Sequence, residues 1–485
     1  MKRTIELMVV AAAVLLFGFA TSLPAQKSGP GSPIVVSEGS KPSPVHYPSA
    51  PGTLVIPESS KLQTVPAGHY FAAHTNVELF IPAGLPESSS TPTGVPYSGY
   101  GYETPESLAC VYGLVTEPSG ASPNCNPNNS ALGAPSGGSK TIAIVDAYDD
   151  PDAEGDSLLF SYQFGLPMVP PTVVYAVTGN NSAYCPGYVQ VDYSGGWEIE
   201  ESVDIEWAHA MAPSATIYLV EACTNFDQDL QQAVLVANNL VNCGKTGITG
   251  SGVNTSVCGT TANPGEVSMS WGGGEFYGET GTACTSANGL LNDGCFTAAN
   301  VVYFASSGDS PGVIWPGTSP NVVSSGGTTN RRDASTFNWI QETAWVFAGG
   351  GVSYVEPKPS YQLPIGNLSF TTYRGVPDLS FDADPITGVW VYDTFPMYGY
   401  VYQWWILGGT SVSAPSLAGV INTAGSFAAS SNAELTVMYN NRKVAADFTD
   451  IPAGAGYCGF YMGTSTLQYY DLCTGLGVPN TYAGK

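Results

Sequence analysis

The stretch Gly408-Gly-Thr-Ser-Val-Ser-Ala-Pro415 leads small residues into Ser411, and an apolar, Ala-rich run follows from Ala414 to Phe427. A serine in the first turn of a helix has exposed backbone N–H groups and the positive end of the helix dipole beside it. Those groups stabilise the oxyanion formed when a hydroxyl attacks a carbonyl. A plain serine cap is the competing reading of a Gly-Thr-Ser string. A nucleophilic serine needs a base, and histidine is the usual one. The chain has only 4 histidines. His46, His69 and His74 fall in the N-terminal segment, and His209 sits mid-helix in an Ala-rich setting that suits packing. The base is therefore expected to be a carboxylate.

Trp197-Glu-Ile-Glu-Glu-Ser-Val-Asp-Ile-Glu-Trp207 supplies one. Glu200 and Asp204 are four apart and share a helix face. Two adjacent carboxylates share a proton, which raises one pKa. A raised carboxylate can take a proton from serine in acid, where histidine is already protonated. A solvated acidic face, reinforced by Glu198, Glu201 and Glu206, is the competing reading.

These residues need elements to hold them. Lys140–Asp146, Thr216–Glu221, Val267–Trp271 and Val301–Ser306 read as buried strands, and 152–164, 200–212 and 226–239 as helices. Such alternation predicts an α/β fold with a mostly parallel central sheet covered by helices on both faces. Functional residues then gather at the carboxyl ends of the strands. Thr104 with Pro105 marks a helix start. Before about Gly101 the chain is rich in Pro, Ser and Gly, with alternating stretches at Gly52–Ile56 and Val77–Pro82 that suit short strands.

The first residues read as a cleaved secretory signal. Lys2 and Arg3 precede an apolar run from Val9 to Ala20, with small residues at Ala20, Ser22 and Ala25. The chain has 10 cysteines, none in a CxxC pair, which points to disulfides and not zinc. Spacing suggests Cys110–Cys125, Cys243–Cys258, Cys284–Cys295 and Cys458–Cys473, leaving Cys185–Cys223. The formal net charge is -25, which excludes nucleic acid as a natural partner. Charged residues are 11% of the chain, so few ion pairs are lost in acid, and acidic working conditions are expected.

The Gly408–Pro415 string resembles the serine motif of the subtilisin-like fold. Together with Glu200-x-x-x-Asp204 it is similar to the sedolisin family of serine-carboxyl peptidases, including kumamolisin-like members. The likeness runs from about Tyr102 to Pro479. Ala305-Ser-Ser-Gly-Asp309 matches the family segment bearing an oxyanion-hole aspartate, and Ser270-Trp-Gly-Gly resembles its substrate-pairing strand. Trp315–Thr328, Gly349-Gly-Gly and Gly375-Val-Pro-Asp also fit. Asp146 stands where kumamolisin-like members carry a glutamate.

The resemblance implies a secreted acid endopeptidase with Ser411, Glu200, Asp204 and Asp309 as catalytic residues. It implies polypeptide substrates. No stretch beyond the signal is long and apolar enough to cross a bilayer, so no membrane contact is expected after signal cleavage, and a monomer is expected. It also implies one structural calcium ion, held by Asp450, Ile451, Leu467, Tyr469 and Asp471, although Leu467 and Tyr469 replace the usual glycines. The expected division is a signal at 1–25, a Pro/Ser-rich segment at 26–100 and a peptidase domain at 101–485. That middle segment reads as a reduced propeptide, an unrelated arm or a remnant. A secreted binding protein that keeps the fold without catalysis is the alternative.

Overall fold

A computed structural model describes residues 51–86, 94–115, 124–177, 189–243, 248–249, 252–253, 263–284, 291–396, 403–451 and 469–485. The signal stretch, Cys185, Cys258, Cys458 and Leu467 lie outside them.

Three short strands come first: β1 (Gly52–Val55), β2 (His74–Thr75) and β3 (Glu78–Pro82). Helix α1 (Pro105–Val111) then starts at Thr104, whose side chain accepts from the Ser107 N–H, with Pro105 at the first helical position. The alternating section follows as β4 (Thr141–Ala147), α2 (Ala153–Phe164), β5 (Thr172–Tyr175), α3 (Gly196–Met211), β6 (Thr216–Ala222) and α4 (Asp227–Cys243). Next come β7 (Gly265–Met269), β8 (Trp271–Gly272), β9 (Val301–Ser306), β10 (Val323–Arg332) and β11 (Trp339–Ala344). Towards the C-terminus follow β12 (Leu379–Asp382), β13 (Val389–Tyr392), β14 (Trp404–Gly408) and α5 (Thr410–Ala424).

The central sheet has eight strands among the described residues, in the order β11-β10-β9-β7-β4-β6-β5, with β12 beside β10. Every pairing is parallel except β10 with β11. This is the α/β architecture expected from the alternating elements. Strands β4, β7 and β9 are buried along their length, as a sheet covered on both faces requires. Helix α3 packs against α5. Gly419 permits the approach, since a Cβ there would lie 2.7 Å from the Met211 Cβ.

The N-terminal segment is not peripheral. Strand β3 inserts between β1 and β14 in an antiparallel sheet that also contains β13. Strand β2 pairs antiparallel with β8, with Thr75 opposite Trp271 and His74 opposite Gly272. The segment thus crosses the carboxyl end of the central sheet.

The expected disulfides Cys110–Cys125 and Cys284–Cys295 are present. Cys223 is also disulfide-bonded. One pairing is corrected: Cys473, expected to bond Cys458, is a free buried thiol. Burial raises its pKa to about 12, so it remains a protonated apolar group.

Candidate active site

Helix α5 presents Ser411 in its first turn, directly after β14. The turn into it needs glycine. Gly409 has φ 105°, and a Cβ there would lie 2.0 Å from the Asn76 carbonyl oxygen and 2.5 Å from Asp309 Oδ2. Pro415 lies inside α5 and has no N–H to give the carbonyl of residue 411. The Ser270 hydroxyl reaches that carbonyl instead, at 3.3 Å.

Helix α3 brings the carboxylates. All of its residues are buried, which rules out the solvated acidic face. The Ser270 hydroxyl donates to Asp204 Oδ1 at 2.7 Å. Among the described residues, both oxygens of Glu200 and of Asp146 lack a hydrogen-bond donor of normal geometry. Desolvation, then the negative charges of Asp204 and Asp146, push the Glu200 pKa far up. The nearby Ser411 hydroxyl pulls it back down. That hydroxyl's well-formed hydrogen bond runs to the Ser270 carbonyl at 3.1 Å, so its contact with Glu200 is a proximity and not a formed bond. Asp204 is raised by desolvation and by Asp146, and lowered by Ser270. Desolvation raises Asp146 to about 8. Three buried carboxyls facing one another hold protons that separate carboxylates would lose.

Asp309 follows β9 and is tied to the same helix end. Its Oδ1 accepts from the Thr410 N–H at 2.7 Å and from the Thr410 hydroxyl at 2.8 Å. The four residues singled out by motif therefore converge from three separate segments.

Sequence reasoning missed two participants. One is the Ser270 side chain, since only its strand was singled out. The other is Asn76, which links β2 to β3. The Asn76 carbonyl accepts from the Ser411 N–H at 3.1 Å, and its own N–H lies 3.3 Å from the Ser270 carbonyl. That N–H also lies 3.2 Å from Ser411 Oγ. Nothing in the local sequence marks Asn76, apart from its place before an alternating stretch. The crossing also carries His74 to the cleft lined by Asn76, Glu78 and Asp309, where its Nδ1 lies 3.0 Å from the Thr75 carbonyl oxygen. His209 contacts the Pro167 carbonyl at 2.9 Å, and burial lowers its pKa.

At the C-terminal end, Asp450 and Asp471 lie within electrostatic reach of each other. Asp471 Oδ1 accepts from the Cys473 and Thr474 N–H groups at 2.7 and 2.8 Å. The Tyr469 N–H serves Asp450. Ile451 is buried beside them, and Tyr469 has φ 53°. Asp450 and Asp471, on separate segments of the chain, are carboxylate oxygens of the kind a hard cation takes. No group of three or more His, Cys, Asp or Glu suited to a metal occurs among the described residues.

Against known proteins, the chain is 31% identical over 245 residues to kumamolisin of Bacillus sp. (strain MN-32), covering 46% of this chain and 38% of that protein. It is 37% identical over 123 residues to sedolisin of Pseudomonas sp. (strain 101), covering 23% of this chain and 19% of that protein. Tripeptidyl-peptidase 1 of Dictyostelium discoideum is 26% identical over 373 residues, covering 71% of this chain and 53% of that protein. The chain thus spans about half or less of the length of the curated relatives it matches. No protein-family model matches it. Among solved structures, Pseudomonas sedolisin, a serine-carboxyl proteinase complexed with two molecules of pseudo-iodotyrostatin, has a TM-score of 0.54 at 23% identity, covering 81% of this chain and 96% of that one. At that identity the likeness is one of fold.

Proposed function

From a chain that is a relative of the sedolisin family of serine-carboxyl peptidases, we propose a secreted endopeptidase that works in acid. The observation that carries this reading is the Asn76 peptide. Its carbonyl oxygen sits on the Ser411 N–H and its N–H faces the Ser270 carbonyl, as the acyl side of a bound substrate would.

In the proposed reaction, the Ser411 hydroxyl turns from the Ser270 carbonyl towards Glu200. It attacks the peptide carbonyl carbon while Glu200 takes its proton. The tetrahedral oxyanion is held by the Ser411 N–H and by a protonated Asp309. Glu200 then gives its proton to the departing amine, leaving an acyl ester on Ser411. Water reverses the sequence and releases the acid. Asp204, fixed by Ser270 and backed by Asp146, shares the proton of the pair. Acid suits this set because the oxyanion donor must be a neutral acid while one carboxylate of the pair stays charged.

Residues 26–100 act in this reading as a reduced propeptide whose β2–β3 crossing blocks the cleft, with 101–485 as the peptidase domain. Export follows from the signal at 1–25 and from the disulfides. Among the described residues no helix is long and apolar enough to cross a membrane. The substrates are polypeptides, and the working form is a monomer. A calcium ion held by the Asp450 and Asp471 carboxylates and the Ile451, Leu467 and Tyr469 carbonyls would pin the C-terminal turn.

The test is cleavage of an unfolded protein from acidic to neutral pH by the wild type, Ser411→Ala and Glu200→Gln. Activity only in the wild type, strongest in acid, is expected. Equal cleavage by Ser411→Ala would remove that residue from its role. No cleavage by any of them after acid treatment would leave a binding protein.

A further inference from the structure

The Asn76 side chain is only 1% exposed and enters a polar seat. Its Nδ2 donates to Ser306 Oγ at 2.6 Å and lies 3.5 Å from the Ser270 carbonyl oxygen. Ser306 ends β9 and is fully buried. The seat therefore offers acceptors to the amide nitrogen, while Asn76 Oδ1 finds no donor among the described residues. A purely steric pocket would not distinguish asparagine from its near-isosteres aspartate and leucine. A pocket ending in acceptors does, because an apolar occupant leaves them buried and unpaired.

We propose that this peptidase selects asparagine at the residue whose carbonyl is attacked, and that Ser306 is the specificity-determining residue. The inference rests on the peptidase reading above, deepening it from polypeptides in general to peptides with a hydrogen-bond donor at that position. A second consequence follows from the same acceptors. A protonated aspartate still has an O–H to donate, and an ionised one has none. Asparagine is therefore preferred over aspartate weakly in acid and more strongly as pH rises through the ordinary aspartate range.

Two experiments on the full chain test this. In the first, acid-treated protein is given peptides that differ only in having Asn, Asp or Leu before the scissile bond. The expected kcat/KM for Asn exceeds that for Leu by about tenfold, the worth of one well-made buried hydrogen bond. In Ser306→Ala that ratio falls to about threefold or less, as one acceptor is lost. Leu cleaved as fast as Asn by the wild type overturns the proposal.

The second experiment needs no catalysis. In Ser411→Ala protein, hydrogen exchange of residues 74–80 is compared with and without Asn76→Leu. Loss of the amide contact should speed exchange by about tenfold. Unchanged exchange contradicts the role of the seat. If exchange speeds up while no peptide is ever cut, the seat stands and the peptidase reading fails.

Discussion

Ser270 is the residue on which the proposed machinery turns. Its hydroxyl touches Asp204 and the Ser411 carbonyl, and its own carbonyl touches the Ser411 hydroxyl. It does not react, so it is a positioning residue. Ser270→Ala removes the contact that lowers the Asp204 pKa. We expect about a tenfold loss of kcat and an upward move of the acid limb of the pH–rate profile, a readout that lost packing alone would not shift. Glu200→Gln removes the proposed base but keeps its shape. It should cost about 10³-fold in kcat, while thermal unfolding in acid stays within a few degrees of the wild type. The residue-level chemistry was legible where local spacing encodes it, as with Glu200 and Asp204. Ser270 and Asn76 were not, because their contacts span 66 and 335 residues and depend on how the strands are ordered.

At the scale of elements, the entry to α5 is the tightest constraint. Gly409 has both a left-handed φ and no room for a methyl group between Asn76 and Asp309. Gly409→Ala should lower the unfolding free energy by about 2 kcal/mol or more and reduce cleavage at least a hundredfold, as measured by denaturant titration and peptide assay. The Pro415 signal was legible in sequence as part of a motif, and its physical role emerges from the structure. It frees a carbonyl that Ser270 occupies. The strands and helices of the parallel sheet fell where alternation placed them. Alternation at Gly52–Ile56 and Val77–Pro82 predicts strands, but not the elements they join, since β2 and β3 pair with partners from chain positions 271–272 and 404–408. The buried state of all of α3 was hidden for a different reason. Its extra glutamates look like a wet face, but burial keeps them protonated.

For the whole molecule, burial of acids decides the response to pH. Desolvation is the main cause that raises Asp156 to about 6, Asp150 and Glu342 to about 7, and Glu198 to about 9, against ordinary values of 3.8 for aspartate and 4.5 for glutamate. A folded-state pKa above the unfolded one means that the folded chain binds more protons in between. Stability is then complete below the unfolded values and is lost as pH rises through the folded ones. Thermal unfolding followed from about pH 4 to about pH 9 should show the midpoint falling across that window. A midpoint that rises towards neutral pH would contradict this. A net charge of -25 and the relief of self-repulsion in acid point to the same preference. The structure adds a different cause, uncharged interior acids. Removal of the proposed calcium ion by a chelator should lower the midpoint further at any one pH, without altering cysteine pairing.

The most direct test of the central claim is to catch the acyl group. Protein turning over a chromogenic peptide ester in acid is quenched, digested and weighed by mass spectrometry. The account requires the peptide containing Ser411 to carry the acyl mass, and the adduct to vanish in Glu200→Gln. Turnover at full rate with Ser411 unmodified, or with the acyl group on another side chain, would contradict it.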